Sequence, residues 1–145
     1  MPTDRFSDTV LLSVPPAEIY AHLLDPQSYV GLSPLVVAVR EIRPAGDATS
    51  YVAVERFRFG PFHWDNPIRV TLNGAQPGRR LVSDVVSPGG VRLTATVDLA
   101  PAEEGAALTE SIEVSSPAVL RSFVVRQAAS VQRARLAELA RRFSR

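Results

Sequence analysis

Two glutamates, a glutamine and a histidine–aspartate pair are the side chains whose positions in this sequence could carry chemistry. Glu55 shares alternate positions with Tyr51, Ala53, Phe57 and Phe59, opposite Val52, Val54, Arg56 and Arg58, so in a strand it stands on the aromatic face. Glu110 falls in line with Leu108, Ile112 and Val114, while Thr109, Ser111 and Glu113 take the other face. Gln127 sits within a stripe of Leu120, Phe123, Val124, Val131 and Ala134, spaced as one face of a helix at about 100° per residue. A carboxylate in an apolar interior costs several kcal/mol unless it is paired, hydrogen-bonded or neutralised by a raised pKa. Three polar side chains on apolar faces predict a wet cavity, or else rim positions and satisfied structural hydrogen bonds. Within a cavity, Glu55 and Glu110 are the candidate proton-transfer groups, with pKa values raised above the ~4.3 of free glutamate. Gln127 is expected to find an interior hydrogen-bond partner.

The segment Phe59-Gly60-Pro61-Phe62-His63-Trp64-Asp65-Asn66 holds the only tryptophan and sets His63 and Asp65 on one side of an extended chain. That pair could form an acid/base unit; otherwise it is a turn packed by Phe62 and Trp64. No serine occupies a recognisable nucleophile elbow, which leaves a hydrolytic triad without support. Trp64 and Tyr29 are suited to line or gate a cavity mouth, or to pack in the core. His22 is expected to face solvent. Arg121, Arg126, Arg133, Arg135, Arg141, Arg142 and Arg145 accompany a single acid, Glu138, in the last segment. That positive excess would suit an anionic protein partner, or be merely solvated and aligned with the helix dipole.

The elements that must position these groups follow from periodicity. Phe6 to Val14 alternates as a strand and stops at Pro15-Pro16; Ile19, Tyr20 and Leu23 then recur at helical spacing up to Asp25-Pro26. A second half-helical piece spans Gln27 to Leu32. Turn clusters at Pro44-Ala45-Gly46-Asp47, Gly60-Pro61, Asn73-Gly74, Pro77-Gly78, Pro88-Gly89-Gly90 and Glu103-Glu104-Gly105 predict antiparallel strands over Leu35–Arg43, Ser50–Phe59, Asn66–Asn73, Arg80–Ser87, Val91–Leu99 and Ala107–Ser115. Hairpin-length connections make them a meander. Ser115-Ser116-Pro117, a serine cap before a proline, opens one long helix free of Gly and Pro to Arg145. Leu136, Leu139 and Phe143 drift round that helix, so it curves or its last turns pack elsewhere.

With 145 residues, 46% hydrophobic and 21% charged, the chain is expected to fold as one domain, residues 1–145, with a substantial core. The absence of cysteine excludes a disulfide framework and a thiolate site, and two isolated histidines make a metal site improbable, so neither a metal nor a cofactor is expected. Net charge +1 argues against nucleic acid as a partner; all basic residues are arginine. No apolar run approaches a membrane span, and Met1-Pro2-Thr3-Asp4-Arg5 lacks the order of a secretory signal, which leads us to expect a cytoplasmic location.

The succession of strand, two short helices, antiparallel strands and a long C-terminal helix resembles the START-like helix-grip superfamily, SRPBCC, and within it the polyketide cyclase/dehydrase and lipid-transport group. Carrying that resemblance are Val14-Pro15-Pro16-Ala17-Glu18-Ile19-Tyr20, Asp25-Pro26-Gln27-Ser28-Tyr29, Leu32-Ser33-Pro34-Leu35 and Leu108-Thr109-Glu110-Ser111-Ile112-Glu113-Val114. It implies an α+β fold in which a strongly bent sheet of about seven strands wraps the long helix around a hydrophobic cavity. It supplies no universal catalytic motif. Tyr29, Tyr51, Glu55, Phe57, Phe59, Trp64, Glu110, Leu120, Phe123 and Gln127 are then the expected lining of a pocket of ~300–1,000 Å³. Three functions are open: carriage of a small hydrophobic molecule; cyclase or aromatase chemistry with Glu55 or Glu110 moving protons; or protein interaction through the arginine-rich helix.

Overall fold

The computed structural model describes residues 2–144. Strand β1 (Thr3–Leu12) is followed by helix α1 (Pro16–Leu24) and a 3-10 turn (Pro26–Tyr29), then by β2 (Val36–Ala45), β3 (Ala48–Phe59), β4 (Phe62–Gln76), β5 (Arg80–Ser87), β6 (Val91–Ala102) and β7 (Gly105–Ser115), and finally by α2 (Arg121–Arg142). The strands form one antiparallel sheet ordered β1-β7-β6-β5-β4-β3-β2, a meander from β2 to β7 with β1 added beside β7. This is the expected helix-grip arrangement. Register shifts in the β2–β3 and β4–β5 pairs bend the sheet where each opposes unequal numbers of residues. No helix among the described residues is long and apolar enough to cross a membrane.

Several elements depart from the sequence reading for identifiable reasons. The second short helix is only the 3-10 turn, capped by the Asp25 carboxylate accepting from the Gln27 amide at 3.0 Å. Phe62-His63-Trp64-Asp65 belongs to β4 and not to a turn, because Gly60 at φ 59° lets the chain reverse at once and pair Phe59 with Phe62. Asn73-Gly74 lies inside β4: a Cβ at Gly74 would run into the Tyr20 hydroxyl, so this glycine serves close approach and not reversal. The long helix starts at Arg121 without a side-chain cap. Ser116 still bonds through its amide to the Pro2 carbonyl and Pro117 is extended, so the serine is spent on the sheet edge, its hydroxyl buried without a partner among the described residues.

Packing is uneven along the sheet. At one end Ile19, Tyr20 and Leu23 of α1 and Leu136 and Leu139 of α2 pack with Leu72, Leu81, Val97, Leu99 and Leu108 in one dense core. At the other, Ala95, Ile112 and Val114 form a small cluster bordered by Phe6, Leu93, Val124 and Val125. The inward stripe of α2 therefore drifts, from Val124, Ala128 and Val131 to Gln132, Leu136 and Leu139. Ala134, read as part of that stripe, is exposed. The first half of α2 stands off the sheet, and this separation creates the site.

Candidate functional site

Between the first half of α2 and the inner sheet face lies an open cavity of about 590 Å³ with mainly apolar walls. Strand register builds it in layers. Tyr51, Ala53, Glu55 and Phe57 of β3 face inward, opposite Val70, Ile68, Asn66 and Trp64 of β4. Ser83, Val85 and Ser87 continue the layers on β5, and Glu110, Ile112 and Val114 on β7.

The floor is polar. Arg135 reaches down from α2, donating through Nε to Glu110 Oε2 at 3.0 Å and through Nη1 to Ser33 Oγ at 3.1 Å. Gln132 Nε2 donates to the Glu110 carbonyl at 2.9 Å and lies 3.4 Å from its Oε1. Glu110 is 5% exposed as a residue, yet it is fully engaged by these partners. Burial works against the Arg135 charge, but the Glu110 carboxylate facing it more than compensates and raises its pKa. Tyr29 and Tyr51 stack at 6.3 Å above this pair, and burial pushes both phenols well up. Tyr29 donates its hydroxyl to the Leu23 carbonyl at 2.8 Å; that of Tyr51 has no hydrogen-bond partner among the described residues.

Toward the mouth stands a second polar group. Glu55 is half-buried, and desolvation raises its pKa against the weaker opposing effect of the Asn66 amide, 3.5 Å away. Asn66 also lies 3.4 Å from Ser87 Oγ. Phe57, Trp64, Leu120 and Phe123 form the rim, where the last three are exposed.

The arrangement corrects several expectations. Phe59 lies outside the lining, 62% exposed at the hairpin tip, where it pairs with Phe62 and stacks on Trp64. Glu110 is not an isolated acid, since the Arg135 guanidinium neutralises it. Gln127 does line the cavity, but its side chain has no hydrogen bond to another described residue; the glutamine with buried partners is Gln132. His63 and Asp65 form no acid/base unit: Arg56 grips Asp65 at 2.8 and 3.0 Å and lowers its pKa. His22 is half-buried, edge-on to Phe143 at 5.1 Å and 3.1 Å from Arg142 Nη1; burial and that guanidinium lower its pKa.

Arg135 and Gln132 were missed, although Arg135 continues the Val124, Ala128, Val131 row by one further turn. Asn66 was also legible, as the position opposite Glu55 once the hairpin is centred on Gly60-Pro61. Of the helix arginines, Arg121 pairs with Asp4, Arg135 with Glu110, and Arg141 and Arg142 with Glu138. Arg126 and Arg133 are exposed, and Arg145 lies outside the described residues.

A family model described as polyketide cyclase / dehydrase and lipid transport matches residues 3–144. Among solved structures, the Zhui aromatase/cyclase from Streptomyces sp. R1128 is similar at TM-score 0.73 and 15% identity, with 97% of this chain and 96% of that one covered. TTHA0849 from Thermus thermophilus gives TM-score 0.74 at 17% identity, covering 98% and 97%. The di-domain ARO/CYC StfQ from the steffimycin biosynthetic pathway gives 0.78 at 13%, with 98% of this chain spanning 50% of that one. These likenesses are of fold. No curated protein matches the sequence.

Proposed function

Because the chain belongs to the polyketide cyclase/dehydrase and lipid-transport family, we propose that it binds and carries a small hydrophobic molecule between α2 and the sheet. The observation that carries this reading is the cavity of about 590 Å³, apolar in its walls and open at the rim of Trp64, Leu120 and Phe123. Its volume falls within the ~300–1,000 Å³ of small-ligand sites. A void of this size left unfilled forfeits packing that a dense core would have, so apolar occupancy is its physical rationale. The test is native mass spectrometry of the purified protein with solvent extraction, followed by titration of the stripped protein with the uncharged dye N-phenyl-1-naphthylamine. A bound apolar molecule, or saturable dye binding displaced by one, is the expected result; a protein that takes up neither contradicts the reading.

A second reading, a cyclase or aromatase acting on a poly-β-ketone chain, is favoured by one observation. Glu55 is a desolvated cavity carboxyl with a raised pKa and no cationic partner in contact among the described residues, which suits a group that holds a proton and gives it to a ketone or departing hydroxyl oxygen. Glu110, paired with Arg135, has no such role and instead holds the floor. Loss of ring formation in Glu55→Gln with binding retained would support this chemistry, and unchanged turnover would remove it. Interaction through the arginine-rich helix draws no support, since four of its arginines are taken by internal acids.

A further inference from the structure

The polar side chains of the cavity segregate into two stations, and three separate elements place those stations the same distance apart. On β3 the inward polar residues are Tyr51 and Glu55, with Ala53 between them; on β5 they are Ser83 and Ser87, with Val85 between them. Four residues of strand span about 13 Å at ~3.3 Å each. On α2 the corresponding residues are Gln127 and Arg135, with Ala128 and Val131 between them; eight residues of helix span about 12 Å.

Contacts bind each station together. At the floor, Arg135 holds Glu110, and Tyr51 stacks on Tyr29. Near the mouth, Asn66 lies between Glu55 at 3.5 Å and Ser87 at 3.4 Å. The zone between is hydrocarbon, with Ile68 opposite Ala53 and Ile112 opposite Ala95.

Neither station suits an anion. The Arg135 charge is already met by Glu110, and a ligand carboxylate at the mouth would face Glu55. Both stations retain hydrogen-bonding capacity: the Tyr51 hydroxyl and the Gln127 amide have no partner among the described residues. A polar group facing a cavity needs a partner, from water or from a ligand.

We infer that the cavity selects an elongated, uncharged molecule with an apolar body and one hydrogen-bonding oxygen at each end, the two about 13 Å apart. The floor takes a carbonyl or hydroxyl oxygen beside Tyr51, and the mouth takes a hydroxyl beside Glu55 and Asn66. This rests on the proposed ligand-binding function and specifies its ligand class.

The test compares n-decanol, α,ω-decanediol and α,ω-hexanediol as competitors of the uncharged dye N-phenyl-1-naphthylamine on the stripped full chain. A merely hydrophobic cavity ranks n-decanol first, because the second hydroxyl of the diol loses apolar area and must be desolvated. Two matched stations reverse that order. Decanediol is expected to bind about threefold to tenfold more tightly than n-decanol, the yield of one additional satisfied hydrogen bond, and hexanediol to bind most weakly because it spans only one station. In Tyr51→Phe, which keeps the ring stack, the preference for decanediol disappears while n-decanol stays within about twofold, since the mouth still serves its single hydroxyl. Gln127→Leu removes the same preference from the other end, because its amide has no partner among the described residues to lose. Tighter binding of n-decanol by the unmodified protein, or a preference untouched by both substitutions, overturns the two-station inference and leaves the carrier reading standing. Failure of the dye and all three alcohols to bind overturns both.

Discussion

Replacing Arg135 with leucine tests whether the floor of the cavity is an ion pair whose halves depend on each other. The side chains of Arg135 and Glu110 are 14% and 6% exposed, so solvent cannot take over when one partner goes. Among the described residues the Glu110 carboxylate would keep only the Gln132 amide, at 3.4 Å from Oε1. An uncompensated buried charge of this kind costs about 3–5 kcal/mol, against the ~0–1 kcal/mol of an exposed pair. For a chain of this length that loss lowers the melting temperature by about 6–20 °C. Glu110→Leu combined with Arg135→Leu removes both charges, and its stability should return to within about 2 kcal/mol of the original, because the desolvation penalty leaves with the pair. The assay is urea unfolding of the stripped protein, with the midpoint read at an unchanged denaturant slope so that stability alone is compared. A loss below about 1 kcal/mol in Arg135→Leu would mean that water screens the pair. A double variant as unstable as the single one would mean that Arg135 acts by packing. Either result refutes the account of the floor.

Three further outcomes follow from the same geometry. Glu55 has a folded-state pKa raised above its ordinary 4.5 by burial, so its contribution to stability is full below that value and is lost as pH rises through the folded one; urea midpoints of Glu55→Gln should gain on the original protein over that rise, and a constant difference contradicts the burial argument. Gly105→Ala should lose more than about 2 kcal/mol of unfolding free energy, because φ is 153° and a Cβ there meets the backbone of Leu12 and Val14; a melting temperature within a degree or two refutes the close approach. Gln127→Leu should change affinity for oxygen-bearing probes severalfold while stability moves by less than about 1 kcal/mol, since its amide has no partner among the described residues to lose; calorimetry of both quantities decides it.

The faces of β3 and β7, the strand count and meander, and the anomalous position of Glu110 were all legible in the sequence. Each is a property of one element: a period of two assigns the side chains of a strand to its faces without reference to anything else. Hairpin pairing was legible wherever the turn was correctly placed, which is why Asn66 could be matched to Glu55 and why reading Phe62 to Asp65 as a loop obscured the match. What Glu110 does inside was not legible. Its partners Gln132 and Arg135 stand 22 and 25 residues away, and which helix residues meet it depends on how far α2 is shifted along the sheet and how far it is rotated. Helical periodicity fixes neither. That same docking turned a carboxylate that looked available for acid chemistry into half of an ion pair, and left Glu55 as the desolvated acid. It also left Phe59 outside the cavity, because strand alternation gives the direction of a side chain but not whether anything lies opposite. Local pattern determined which side chains point inward; only the placement of α2 over the sheet decided which of them meet protein and which meet the cavity.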